Sequence, residues 1–67
     1  MTHLLAKTLL ISQVTELIAK YHHLPLFEAR DNLYSSDIVN LIEDDETGLY
    51  GESALFIFSL YEDRLKK

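Results

Sequence analysis

Residues 43–65 decide the fold and read EDDETGLYGESALFIFSLYEDRL. The first part is acidic and holds both glycines of the chain, and the second part is apolar and holds two of the three phenylalanines. Glycine favours turns, whereas apolar residues at intervals of three and four favour a helix. The stretch therefore predicts an acidic turn followed by an aromatic-rich final helix.

The final helix is predicted to run from Ser53 to Leu65, with Ser53 as its N-cap. At about 100° per residue, a stripe about 100° wide collects the core-facing residues Ala54, Ile57, Phe58, Tyr61 and Leu65. Phe56 and Leu60 lie outside this stripe. They are either covered by another helix of the same chain or contact a second subunit.

Residues 46–51 are predicted to form a structural turn before this helix. They are Glu46, Thr47, Gly48, Leu49, Tyr50 and Gly51. Each glycine can adopt a positive φ, and threonine favours local bonds from its side chain to the backbone. We expect Leu49 and Tyr50 to fold back onto the helices. Whether residues 49–52 are extended or irregular stays open.

Four consecutive acidic residues at positions 43–46 raise the question of a calcium site. If Gly48 took the sixth position of an EF-hand loop, the twelfth position would fall on Ala54. That position needs a bidentate glutamate, so the signature fails. The sequence predicts a solvated acidic turn instead.

The first helix is predicted to begin between residues 3 and 8 and to end near residue 22. Its core stripe consists of apolar residues at helical spacing: Leu10, Ile11, Val14, Leu17, Ile18 and Tyr21. The solvated side is predicted to hold Ser12, Gln13, Thr15, Glu16 and Lys20. Leu5 and Leu9 lie outside the core stripe, so they have the same two interpretations as Phe56 and Leu60.

Two short helices are predicted in the middle of the chain. The second helix begins at Pro25 and ends near Tyr34, because proline suits a first helical position. Its apolar residues are Leu26, Ala29 and Leu33 on one line, with Phe27 and Tyr34 beside it. The third helix runs from Asp37 to Asp44 after a cap at Ser35 or Ser36. Its buried side consists of Ile38, Leu41 and Ile42, with Val39 at the edge.

Together these segments predict an all-α fold in one domain, residues 1–67. The expected architecture is a compact bundle of about four helices, with two long terminal helices and two short middle ones. Arg30 lies between the two apolar lines of the second helix. We expect its stem to cover apolar surface while its guanidinium forms a buried ion pair with the acidic turn. The alternative is an anion-binding arginine.

The candidates for catalysis or metal binding are three histidines, His3, His22 and His23. His22 and His23 are adjacent and diverge by about 100° at a helix end, so they do not share a metal comfortably. The helix dipole already favours histidines in a last turn. We therefore predict no catalytic, cofactor-binding or metal-binding residues and no enzymatic activity.

The composition predicts a small domain that lacks covalent cross-links. The chain has 67 residues and no cysteine, which excludes disulfides and thiolate zinc sites. A domain this small buries only about 60% of the surface of its unfolded chain. Because such proteins often gain stability by oligomerising, we expect self-association.

The charge balance limits the class of partner. The net charge is −5, with 48% hydrophobic and 25% charged residues, which is too apolar for intrinsic disorder. An acidic chain is poorly suited to direct contact with nucleic acid or an anionic membrane. The apolar run at 4–11 is interrupted by Lys7 and is too short to span a bilayer. We expect a cytoplasmic protein.

Two segments resemble a group of short bacterial proteins of unknown function. The first is residues 29–36, Ala-Arg-Asp-Asn-Leu-Tyr-Ser-Ser, and the second is residues 41–50, which end in Glu-Thr-Gly-Leu-Tyr, followed by Ser53. The likeness covers about residues 17–61. Members resemble genes beside toxin–antitoxin-like or mobile-element loci, which implies a protein-binding role. The resemblance implies no catalytic residues.

The functional prediction is a non-enzymatic protein–protein interaction module that forms a homodimer. Its predicted partner-binding residues are Leu5, Leu9, Phe56 and Leu60, because a chain of this size has few apolar residues to spare. The alternative is an acidic nucleic-acid mimic or antitoxin-like inhibitor that occupies a basic groove of a partner protein.

Overall fold

A computed structural model describes residues 4–66 and shows four α-helices in this range. They are α1 (Leu4–His22), α2 (Leu26–Ser35), α3 (Ile38–Glu43) and α4 (Ala54–Leu65). Two 3₁₀ turns, Asp45–Thr47 and Leu49–Gly51, connect α3 to α4. The part of the chain described contains no strand. The predicted all-α class is confirmed, with two longer terminal helices and two shorter middle ones.

Helix α1 is the central element, since each of the other three α-helices packs against it. Helix α2 packs against α1, and Tyr34 near the end of α2 lines a cavity with Leu4 and Thr8 from the first part of α1. Helix α4 also packs against α1, and Tyr50, just before α4, lies near Lys7 in the first turn of α1. At the other end, the rings of Tyr21 and Phe58 stack with centroids 5.3 Å apart.

One hydrophobic core receives side chains from all four helices. Its buried members are Leu10, Ile11, Val14, Ile18, Ala29, Leu33, Ile38, Val39, Ile42, Ile57 and Tyr61. Most belong to the predicted stripes. Leu26 and Leu65, predicted to face the core, are instead more than half exposed because they lie at the ends of their helices.

The buried face of α1 is rotated relative to the predicted one. Thr15, predicted on the solvated side, is only 7% exposed, whereas Tyr21, predicted in the core, is 56% exposed. Helices α2 and α4 flank α1 and bury an arc centred on Ile18, and this arc includes Thr15. Tyr21 falls within the same arc, but it is exposed because it lies in the last turn of α1. The Thr15 hydroxyl tolerates burial because it donates a hydrogen bond of 2.8 Å to the carbonyl of Ile11.

The first link is closed by a residue in the left-handed region. The amide of Leu24 donates to the carbonyl of Ala19 at 3.0 Å, and His23 between them has a φ of 58°. This is the six-to-one bond of a Schellman motif, in which glycine is the usual left-handed residue. Pro25 follows as the N-cap of α2, one position before its predicted place.

The connection from α3 to α4 is held by local hydrogen bonds. Asp44 accepts from the amide of Glu46 at 3.0 Å, and the Thr47 hydroxyl donates to the carbonyl of Leu41 at 2.6 Å. Gly48 has a φ of 69°, whereas Gly51 does not use a positive φ. Ser53 caps α4 as predicted, accepting from the amide of Phe56 at 3.2 Å.

The 3₁₀ turn Leu49–Gly51 answers the question that the sequence left open about residues 49–52. Leu49 and Tyr50 are half-buried and pack against the core, as expected. The predicted structural turn at 46–51 therefore consists of the end of one 3₁₀ turn, Gly48 and a second 3₁₀ turn.

Candidate interaction surfaces

His22 joins two helices through its side chain, whereas His23 is placed by its backbone conformation. Nε2 of His22 lies 2.5 Å from a carboxylate oxygen of Glu62, which joins the ends of α1 and α4. His23 occupies the left-handed position after α1. His3 lies outside the described residues. Between residues 4 and 66, no three His, Cys, Asp or Glu side chains are placed to hold a metal ion.

A pocket of about 400 Å³ with polar and apolar lining residues lies beside His22. Its lining includes His22, Asn32, Ser35, Ser36 and Tyr61. Serine and histidine in one pocket suggest a nucleophile and a base, but the pair needs a hydrogen bond between them. The Ser36 hydroxyl instead donates to the carbonyl of Leu33 at 2.6 Å. The described hydrogen bonds include none between a serine and His22.

Tyr61 contributes a buried phenol to the lining of this pocket. Burial raises the pKa of its hydroxyl above the ordinary value of 10.0, and the negative charge of Glu62 raises it further. Tyr61 is only 3% exposed. At neutral pH the hydroxyl is therefore protonated, and its ring serves the core.

Lys7 anchors the acidic turn to the first part of α1, a role that the sequence analysis missed. Its ammonium donates to the carbonyl of Glu43 at 2.9 Å and lies 2.5 Å from a carboxylate oxygen of Asp45. It also lies 5.6 Å from the centre of the Tyr50 ring. A basic residue interrupting an apolar run was the available signal, since a charge there needs a partner.

Arg30 does not form the predicted buried ion pair. Its side chain is exposed, and the ion pairs among residues 4–66 do not include it. The acidic turn packs against Lys7 at the first turns of α1, whereas Arg30 lies beside Thr15 and Glu16 near the middle of that helix. The basic residue that pairs with the acidic turn is therefore Lys7, not Arg30.

Large apolar side chains are almost as numerous outside the core as within it. The described residues include eleven buried hydrophobic side chains and ten exposed large ones. The exposed ones are Leu4, Leu5, Leu9, Tyr21, Leu26, Phe27, Tyr34, Leu55, Phe56 and Leu65. A single exposed leucine is ordinary, but several on one face mark an interaction surface.

The four predicted partner-binding residues lie in different environments. Leu5 is 81% exposed, Leu9 55% and Phe56 44%, while Leu60 is half-buried against the core. By helical spacing, Leu5 and Leu9 lie on the side of α1 opposite Ile18. Phe56 lies on a different helix, on the side of α4 away from its buried residues. The set therefore forms two separate surfaces rather than one.

A groove between α1 and α2 gathers exposed apolar residues that the sequence analysis did not connect. It consists of two adjoining cavities of about 250 and 290 Å³ that share Thr8, Ile11 and Tyr34. We call it the α1–α2 groove, and its lining is Leu4, Lys7, Thr8, Ile11, Ser12, Thr15, Glu16, Leu26, Arg30, Tyr34 and Glu43. Three of these residues, Leu4, Leu26 and Tyr34, are large exposed hydrophobics.

The fold and these surfaces define a small all-α protein with apolar surface left uncovered by its own chain. Comparison with protein-family models, curated proteins and solved structures gives no match to this chain. The resemblance to short bacterial proteins with a Glu-Thr-Gly-Leu-Tyr turn therefore stays a prediction. Within residues 4–66, no helix has both the length and the apolar character needed to cross a membrane.

Proposed function

We propose that this protein is a small non-enzymatic interaction module that binds other proteins and associates as a homodimer. The observation that supports the proposal is the set of ten exposed large hydrophobic side chains among residues 4–66 of this small domain. Exposed apolar surface on this scale favours a role in which a second molecule covers it. The absence of cysteine is compatible with a cytoplasmic location.

The energetics favour an interface in which several of these side chains are covered together. Burying one leucine or phenylalanine side chain contributes about 1.5–3 kcal/mol. Association costs about 4–15 kcal/mol in translational and rotational freedom before any net affinity appears. One exposed leucine is therefore insufficient, whereas a face with four or five large apolar side chains can offset the cost.

The experiment that tests self-association is sedimentation equilibrium of the full chain over a range of concentrations. We expect a mass of twice 7.8 kDa at micromolar concentration, with dissociation on dilution. The urea midpoint of unfolding should rise with chain concentration, because dimerisation stabilises the folded state by mass action. A mass of 7.8 kDa at every concentration, with a constant midpoint, would contradict the dimer.

A second candidate function is that of an acidic nucleic-acid mimic or antitoxin-like inhibitor in a basic protein groove. Two observations favour it: the net charge of −5 and the exposure of all four acidic residues at 43–46. Binding of this kind weakens steeply as salt rises, because the charges are solvent-exposed. Binding to a basic partner that is indifferent to salt would exclude it.

A further inference from the structure

The α1–α2 groove has exposed apolar side chains along its length. Leu4, Leu26 and Tyr34 are each more than half exposed, and they share a lining with Ile11. Both walls are helices of ten residues or more, and they pack against each other. Such a pair presents the kind of surface against which another helix pair packs in a four-helix arrangement.

The charges that line the groove are balanced, although the chain as a whole is acidic. Lys7 and Arg30 carry positive charge and Glu16 and Glu43 carry negative charge, so the lining sums to zero. The net charge of the chain is −5, so its acidic excess lies elsewhere. Two copies can approach through this face without the repulsion that other faces would impose.

Two of these charges have no partner within the part of the chain that the structure describes. Neither Arg30 nor Glu16 belongs to an ion pair or side-chain hydrogen bond there, although both line the same cavity. One unpaired cation and one unpaired anion on a single face make that face self-complementary. In a two-fold interface, a contact between one residue of the first copy and a different residue of the second copy is formed twice.

We propose that the α1–α2 groove is the homodimer interface, with Arg30 of each copy paired to Glu16 of the other. The occupant of the groove is therefore a second copy of this chain. This inference rests on the proposed self-association and identifies the surface through which the two copies bind each other. It places Leu55 and Phe56 of α4 outside the interface, where they stay available to another protein.

A charge exchange tests the pairing. Arg30→Glu and Glu16→Arg should each raise the dimer dissociation constant about tenfold or more, because each places like charges opposite one another twice. An equimolar mixture of the two variants should form a heterodimer with nearly wild-type affinity, as should the double variant with itself. Lys66→Glu, exposed and outside the groove, is the matched control with the same charge change as Arg30→Glu.

An apolar pair of variants tests the face independently of charge. Leu26→Glu and Leu55→Glu introduce the same residue at similarly exposed leucines, 57% and 62%, so both should keep the monomer fold. Leu26→Glu should abolish the dimer, and Leu55→Glu should leave the dissociation constant within about twofold of wild type. Sedimentation velocity measures both, with circular dichroism as the check on folding.

The possible failures are distinguishable. If the wild type dimerises but the groove variants dissociate no more readily than their controls, the groove is not the interface and self-association stands. If both single charge variants weaken the dimer but their mixture restores nothing, the Arg30–Glu16 pairing is wrong. If the wild type is a monomer at every concentration, the proposed homodimer itself fails.

Discussion

His22 and Glu62 join the C-terminal ends of the two longest helices, with Nε2 of the histidine 2.5 Å from a carboxylate oxygen of the glutamate. Both side chains are about one-third exposed, at 35% and 32%. Solvent screening limits a pair at this exposure to about 0.2–1 kcal/mol. The contact therefore links α1 and α4 but contributes little to their stability.

We expect Glu62→Ala to lower the free energy of unfolding by that modest amount. Urea denaturation at one fixed chain concentration measures it, since dimerisation would otherwise change the midpoint. A double-mutant cycle with His22→Ala separates the pair from the loss of each side chain. A coupling energy of zero would show that the contact contributes nothing to stability.

His23→Gly should stabilise the protein. His23 has a φ of 58°, a conformation that costs a non-glycine residue about 1–3 kcal/mol and glycine almost nothing. Glycine also has greater backbone entropy in the unfolded chain, which offsets part of this benefit. We therefore expect the free energy of unfolding to rise by about 0.5–1 kcal/mol. Urea denaturation measures the gain.

The matched control for this prediction is His23→Ala, which removes the imidazole but keeps the β-carbon. It should show no gain, because the strain resides in the backbone. Equal stabilisation by alanine and glycine would instead assign the effect to loss of the imidazole.

Lys7→Met should loosen the acidic turn while keeping most of the apolar stem of the side chain. The ammonium contacts the carbonyl of Glu43 and the carboxylate of Asp45, but that carboxylate is largely exposed, so we expect a loss of about 1 kcal/mol. Hydrogen exchange should accelerate at the amides of Thr47 and Gly51, which close the two 3₁₀ turns.

Lys20→Met is the control for the same loss of charge on α1. Lys20 is exposed, so its replacement should leave exchange in the turn unchanged. If both variants accelerate exchange equally, a change in overall charge rather than the Lys7 contact is responsible.

The ends of the helices were predictable from sequence because their determinants are local. Ser53 caps α4 through a bond within four residues, and Gly48 supplies the left-handed residue of the turn. Pro25 marks the break between α1 and α2, since proline has no amide to donate. Each of these features depends on neighbouring residues alone, so a single sequence is sufficient to reveal it.

The rotation of α1 and the partners of the basic residues could not be derived in the same way. Thr15 is buried because α2 and α4 flank α1 at particular angles, which depend on the whole chain, whereas Tyr21 is exposed in the last turn of α1. Likewise, Lys7 rather than Arg30 meets the acidic turn because that turn passes the first part of α1. The α1–α2 groove follows from the same packing, so periodicity within one helix did not reveal it.

Tyr61 should make stability fall at high pH. Burial, aided by the charge of Glu62, raises the pKa of its hydroxyl in the folded state above the ordinary value of 10.0 that applies in the unfolded chain. Above pH 10.0 the unfolded state releases the proton while the folded state retains it, so the unfolded state binds fewer protons and stability declines with pH. Below that pH both states are protonated and the contribution is constant.

The variant Tyr61→Phe isolates this effect, because it removes the ionisable hydroxyl and keeps the buried ring. Urea denaturation of both proteins between about pH 8 and 11 should show a steeper decline for the wild type, beginning near the ordinary tyrosine pKa. All other ionisable groups are common to both proteins, so the difference between the two curves belongs to Tyr61. Parallel curves across this range would mean that the Tyr61 hydroxyl ionises as readily in the folded protein as in the unfolded chain.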